Sequence, residues 1–441
     1  MAVATWRNCT AALAAVVTLA VAGCTSGSAT AGPHTSHRPS SPSGSARTVP
    51  ESPPATTSGA ATFGGVPLGG APCLVTAPAA WTQAKAAGEI WHAQWAVHST
   101  QAPTPDGSGV LIQRDEESDV HVLIVGKDQQ VVDDLGTIPR PSGQLSQLTF
   151  DVIDADHVAF VYSLTNGEAA AWKWQLYLWD RHTHRLTQIA SNPTDGHGDA
   201  LHSGWVHPVL TDKYLYWIQA APDTTGGWGG SDLMQYTFAT GQTRRLYRGL
   251  AEALVAYRGL VLFTALAPGA KPPAQTPGQG IPEVVEAVRQ GDGTPVSAPK
   301  GIDAGKAGAD VMETDGDIIV WDGYDGALHA WRPEWGRSVV LVPSFANWPL
   351  GQKLGLSNPT MPRLYGHFVV FSPSGVYVLD LRTNSFAPLT VNPAGEDMSG
   401  SWLQLSEFTT KDSYNKQTLE EQSNQYLLNL ATLPDLPGCG H

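Results

Sequence analysis

The chain is short of charge, of basic residues and of cysteine. Only 15% of its 441 residues are charged, and the 26 Lys and Arg are outnumbered by 40 Asp and Glu, which leaves a formal charge of −14. A general nucleic-acid binder is excluded, because contact with phosphates needs a basic face. Helical bundles and coiled coils, which draw on Glu, Lys, Leu and Ala, are also a poor match. With four cysteines there is no zinc-ribbon spacing and no dense disulfide framework. No Gly-x-Ser-x-Gly elbow and no sialidase Ser-x-Asp-x-Gly-x-x-Trp box occurs. In place of these the chain has 46 Gly, 33 Pro and 15 Trp, the stock of a turn-rich, aromatic β protein.

The apolar stretch over residues 11–23 is too short to span a bilayer and matches the hydrophobic region of a secretory signal. It ends in Val21-Ala22-Gly23-Cys24, which resembles the lipobox of bacterial lipoproteins. The resemblance implies a signal peptide over residues 1–23 and a mature chain that starts at a diacylglyceryl-modified Cys24. Such acyl chains hold a protein stably at the outer face of the cell membrane. Residues 24–72 are then expected to be a lipidated, disordered tether. In residues 25–62, 32 of 38 are Ser, Thr, Pro, Gly or Ala, which cannot form a core. Cleavage removes Cys9 and lipid caps Cys24, so Cys73 and Cys439 are left to pair in an oxidising compartment.

Residues 73–441 repeat. Runs such as His157-Val-Ala-Phe-Val-Tyr162, Tyr214-Leu-Tyr-Trp-Ile218 and His367-Phe-Val-Val-Phe371 are apolar throughout and bounded by turn residues. Strands of this kind are buried on both faces. Each is followed by a hairpin phrase, as in Tyr177-Leu-Trp-Asp-Arg-His-Thr183 and Tyr377-Val-Leu-Asp-Leu-Arg-Thr383, and weaker units occur near residues 121–135 and 284–297. The pitch is near 50 residues and the units number seven, so the expected fold is all-β, a β-propeller of seven four-stranded blades. Residues 89–98 are expected to complete the last blade, near 402–408 and 426–430, and to bring Cys73 to Cys439. A short helix is expected over residues 78–87. The hairpin phrase and the pitch resemble the TolB-like propellers of bacterial envelopes, which implies fold more than activity.

Candidate chemistry is sparse. Asp195, His197, Asp199 and His202 form a His- and Asp-rich loop of weak metal-ligating character, since no two of them are fixed on one rigid element. The phrase Asp322-Gly-Tyr-Asp-Gly-Ala-Leu-His-Ala-Trp331 resembles one repeat of quinoprotein propellers, but a single such blade is not a quinone site, and no cofactor is expected. Trp179, Trp217, Trp321 and Trp331 lie within strand runs and read as core. Trp172, Trp228 and Trp348 lie on expected loops and are the candidate ligand-binding aromatics, able to stack on sugars or anchor a protein. The expected role is a membrane-anchored binding or interaction module of the cell envelope, with an envelope protein or glycan as partner and no catalytic residue assigned. The alternative is a hydrolase acting on envelope carbohydrate through two facing carboxylates.

Overall fold

The computed structural model describes residues 61–91, 97–115, 119–127, 130–141, 145–165, 173–198, 200–201, 206–222, 228–270, 283–303, 308–390, 393–408 and 423–440. Cys24 and Trp172 lie outside them.

A ribbon of β1 (Thr62–Phe63) and β2 (Val66–Pro67) comes first, then β3 (Cys73–Leu74), helix α1 (Ala79–Ala87) and β4 (Glu89–Trp91). Blade 1 is β5 (Val97–Pro103), β6 (Val110–Asp115), β7 (Asp119–Val125) and β8 (Val131–Pro139). Blade 2 is β9 (Leu145–Ile153), β10 (His157–Thr165), β11 (Lys173–Asp180) and β12 (Arg185–Ser191). Blade 3 is β13 (Val209–Leu210), β14 (Tyr214–Pro222), β15 (Trp228–Thr237) and β16 (Gln242–Gly249). Blade 4 is β17 (Ala251–Tyr257), β18 (Leu260–Leu266), β19 (Glu283–Arg289) and β20 (Pro295–Val296). Blade 5 is β21 (Ala309–Thr314), β22 (Ile319–Gly323), β23 (Leu328–Trp331) and β24 (Ser338–Val342), and helix α2 (Pro349–Leu354) leads away from it. Blade 6 is β25 (Arg363–Tyr365), β26 (Phe368–Phe371), β27 (Val376–Asp380) and β28 (Ser385–Thr390). Blade 7 is β29 (Pro393–Ser399), β30 (Trp402–Phe408) and β31 (Ser423–Asn429).

Each blade is an antiparallel meander, and blade 7 takes β4 as its outermost strand through the register Gln425↔Trp91 and Tyr426↔Glu89. The first strands of successive blades touch in the pairs β5–β9, β9–β13, β13–β17, β17–β21 and β21–β25, and β29 returns to β5. Blade 6 meets blade 7 through Arg363 and Asp397. These contacts make a closed seven-bladed β-propeller.

The packing explains why the second strands are apolar on both faces. Val158, Phe160 and Tyr162 of β10 enter the cluster shared with blade 1, while Ala159 and Val161 enter the cluster shared with blade 3. One such cluster fills each of the seven interfaces. Trp179, Trp217, Trp321 and Trp331 are buried among them, as expected. The recurring Asp of the hairpin phrase caps its own turn: Asp180 Oδ1 accepts from the amides of His182 and Thr183, and Asp380 Oδ1 from that of Arg382.

Two boundaries differ from expectation. The folded chain begins before residue 73, because Ala61 and Leu68 flank the β1–β2 ribbon and are buried in the interface between blades 5 and 6. His98 does not belong to the closing strand, since blade 1 has already begun at Val97. β31 runs into a 3-10 turn, and β4 takes the empty edge.

Closure is reinforced nearby. Cys73 and Cys439 form a disulfide. Trp81 of α1 donates from Nε1 to the Pro434 carbonyl and packs edge-on against Phe368.

Candidate functional site: a charged cavity on the ring axis

Neighbouring strands alternate direction. The connection from second to third strand therefore emerges at the same end of the ring as the link into the next blade. The long connection 343–362, between β24 and β25, lies there. The opposite end carries tight turns such as the one between Tyr257 and Leu260. Binding surfaces of rigid scaffolds are generally built from long loops of this kind.

A cavity of about 620 Å³ lies on the axis and is lined by the first strands of blades 2 to 7. This volume falls in the range typical of small-molecule sites. Its mouth faces the loop-rich end. Glu252 and Asp310 stand at the second positions of β17 and β21, and Tyr324 lies in the β22–β23 turn. The Tyr324 hydroxyl donates to Glu252 Oε2 at 2.7 Å. Behind them Glu283 is buried and accepts the Ala309 amide at 3.1 Å. Burial, then the neighbouring Glu252, pushes the Glu283 carboxyl up to about 8. Gly308 makes room for this approach: a Cβ there would sit 2.5 Å from Glu283 Oε2.

The floor is built around Arg363 of β25, whose Nε donates to Asp397 Oδ1 and whose Nη1 donates to Glu313 Oε1, each at 3.0 Å. Burial opposes its charge, but the two carboxylates more than offset that, and Arg363 stays a cation. Asp151 of β9 accepts the Ala102 amide of blade 1 with Oδ2 at 2.8 Å. Its Oδ1 is buried and finds no hydrogen-bond partner among the described residues. Burial, with Asp397 adding to it, raises the Asp151 carboxyl well above the usual range. His207 packs against Phe150 with ring centroids 4.0 Å apart and planes tilted by 54°, and burial pulls it down to about 3, so its ring is neutral. Glu396, beside Asp397, takes a hydrogen bond from Ser372 and is lifted to about 7 by burial. Asp322, tied to the amides of Val311 and Met361, is also lifted to about 7, by burial and then by Asp310.

The expected site residues do not assemble here. Trp348 is 8% exposed, stacked on Phe345 and packed against Phe386 between blades 5 and 6. Its ring therefore offers no open face to a sugar, which corrects its assignment as a loop aromatic. Trp228 opens β15 at the loop-rich end, opposite Pro222. Asp195 Oδ1 caps the turn by accepting the His197 amide, and the His197 side chain is exposed; Asp199 and His202 lie outside the described residues.

Among the described residues one His/Asp group has ligand atoms within 4.8 Å of one another, namely His367, Asp380 and Asp435. Its carboxylates are already engaged. Asp380 Oδ2 accepts the Leu436 amide, and Asp435 meets both His367 and Arg382. The group is a clasp that holds the C-terminal tail on blade 6.

No family model and no curated sequence matches this chain. Solved structures share the architecture at low identity. The propeller domain of the Trilobed protease from Pyrococcus furiosus, described as having an open velcro topology, is 10% identical with a TM-score of 0.44 and aligns over 78% of this chain and 98% of its own. An oligogalacturonate lyase in complex with manganese is 10% identical, with a TM-score of 0.38 over 75% and 76%. The Pyrococcus horikoshii acylaminoacyl peptidase is 8% identical, with a TM-score of 0.44 over 76% of this chain and 51% of its own. Likeness at this level says nothing about ligand or chemistry.

Proposed function

We propose that this chain is an extracytoplasmic binding propeller, held at the membrane by acylated Cys24 on the Ser/Thr/Pro-rich tether, which engages its ligand in the axial cavity. The lipobox-like phrase and the TolB-like hairpin phrases support the envelope location, and a disulfide across the ring closure suits an oxidising compartment. The observation that carries the binding reading is the cavity itself, a preformed space whose polar groups converge from six blades. The carbohydrate-hydrolase alternative is less well supported. It needs two carboxyls about 5–9.5 Å apart with a sugar between them. At the mouth, Glu252 is engaged by the Tyr324 hydroxyl and Glu283 by the Ala309 amide. At the floor, Asp397 is neutralised by Arg363.

Two measurements test the reading. Detergent-phase partitioning of cell extracts should recover wild-type protein with the lipid phase and Cys24→Ser in the aqueous phase; equal partitioning would remove the anchor. Native mass spectrometry of protein released gently from membranes should then show a noncovalent adduct that is depleted in Glu252→Gln. An adduct unchanged by that substitution would place binding elsewhere.

A further inference from the structure

We propose that the axial cavity selects a small organic polyamine, with one ammonium group held at the floor by Asp151 and His207 and another at the mouth by Glu252 and Asp310. The inference rests on the reading of the cavity as the binding site and adds the chemical class of the ligand.

At the floor the strong donors are spent, because Arg363 is committed to Asp397 and Glu313. Acceptors are left over. Asp151 Oδ1 is buried without a partner among the described residues, and the neutral His207 ring, which lines the same floor, offers a nitrogen acceptor. At the mouth the Tyr324 hydroxyl is spent on Glu252, and Asp310 stands exposed at the rim with no cation paired to it among the described residues. A sugar hydroxyl both donates and accepts, so it would use only half of such a surface. An ammonium group donates three hydrogen bonds and accepts none, which is what an excess of acceptors requires.

Charge points the same way. The lining contains Asp151, Glu252, Asp310, Glu313 and Asp397 against the single cation Arg363. A buried carboxylate is costly until a cation meets it. A bare divalent ion is a poorer fit, because it needs oxygens gathered at coordination distance. Among the described residues only the distant tail clasp has His and Asp ligand atoms so close. Asp310 and Glu313, at mouth and floor of the same strand β21, are about 10 Å apart at the rise of a β-strand. That is the reach of a triamine, and the cavity volume admits one.

The test is isothermal titration of the purified full-length chain with spermidine at pH 8 and low salt. The expected result is saturable one-to-one binding, at least tenfold weaker in Glu252→Gln and in Asp310→Asn. Binding should weaken at pH 5.5, and at pH 8 it should release protons, seen as a heat that changes with buffer ionisation enthalpy. Asp310→Asn alters an exposed rim residue, so it keeps the test valid if a floor variant such as Asp151→Asn fails to fold. Magnesium and chitotriose are titrated in parallel. Magnesium binding with equal affinity, or spermidine binding unaffected by both mouth variants, would overturn the proposal. Chitotriose binding without spermidine binding would overturn the amine and leave the cavity as a site. Silence of all three probes, together with no adduct in the native mass spectrum, would remove both readings.

Discussion

At the residue scale, the unusual feature is how many buried carboxyls this protein keeps on and around its axial cavity, several of them tied to a neighbouring blade. Asp151 reaches a blade 1 amide, Glu283 a blade 5 amide and Asp322 the link into blade 6. Arg363 binds the arrangement together, because its two ion pairs join blade 6 to blades 5 and 7. Breaking a buried pair from one side strands the partner charge and typically costs about 3–5 kcal/mol. Arg363→Met should therefore destabilise the protein by about that much in urea unfolding. The double change Arg363→Met with Asp397→Leu should recover part of the loss, since it removes both charges. A single variant as stable as wild type would show that the pair does not brace the ring. Gly308 makes a separate prediction. Its φ of +71° and its contact with Glu283 leave no room for a side chain. Gly308→Ala should thus cost about 1–3 kcal/mol and displace the mouth carboxyl, which a fall in cavity binding would report.

At the element scale, closure depends on short pieces. β4 contributes only Glu89–Trp91, and the tail after β31 lies on blade 6 without strand pairing of its own. The Cys73–Cys439 bridge spans 366 residues, so the chain-entropy account gives a ceiling of about 5–6 kcal/mol for its contribution. Reduction, or Cys73→Ser with Cys439→Ser, should lower the urea midpoint markedly and raise hydrogen exchange first in β4 and β31. Uniform exchange through all blades would mean that the ring opens elsewhere. The blades were readable from sequence because their second strands are apolar on both faces, as β10 and β26 illustrate, and because the hairpins of blades 2 and 6 begin on a turn-capping Asp. The cavity was not readable. Its members sit one or two per blade on first strands such as β21, Ala-Asp-Val-Met-Glu-Thr, where an isolated carboxylate looks like any solvated one. The available signal was a charged residue shortly before each apolar run, seen at Asp151, Glu252, Asp310 and Arg363. Only ring closure shows that these positions converge. Trp348 failed for a related reason: its loop folds back over the interface of blades 5 and 6 and carries the ring into the core.

At the scale of the whole molecule, these raised carboxyls set how stability depends on pH. Asp151, Glu283, Asp322 and Glu396 are all more basic in the folded chain than in the unfolded one, the last three reaching about 7 to 8. The folded state thus holds protons that the unfolded state has already lost. The stability this confers is fully present below about pH 4 and disappears as pH climbs through 7 and 8. His207 acts in the opposite sense. Depressed to about 3, it favours the fold above its ordinary value near 6.5 and penalises it below. It is one group against four, so the balance still rises as pH falls from 8 toward 5. Turn-capping carboxylates such as Asp154 and Asp325, held below their ordinary value by hydrogen bonds to His157 and His329 despite burial, withdraw their support only under stronger acid. The melting temperature should therefore peak near pH 5 and decline steadily to pH 9, the reverse of a protein braced by ionised surface pairs. Spermidine should flatten that decline, since an ammonium in the cavity takes over from the missing protons. Thermal melts at half-unit pH steps, with and without the amine, measure both effects. A profile that is flat or rising between pH 5 and 9 without ligand would mean that the axial carboxyls are ionised and already neutralised within the fold.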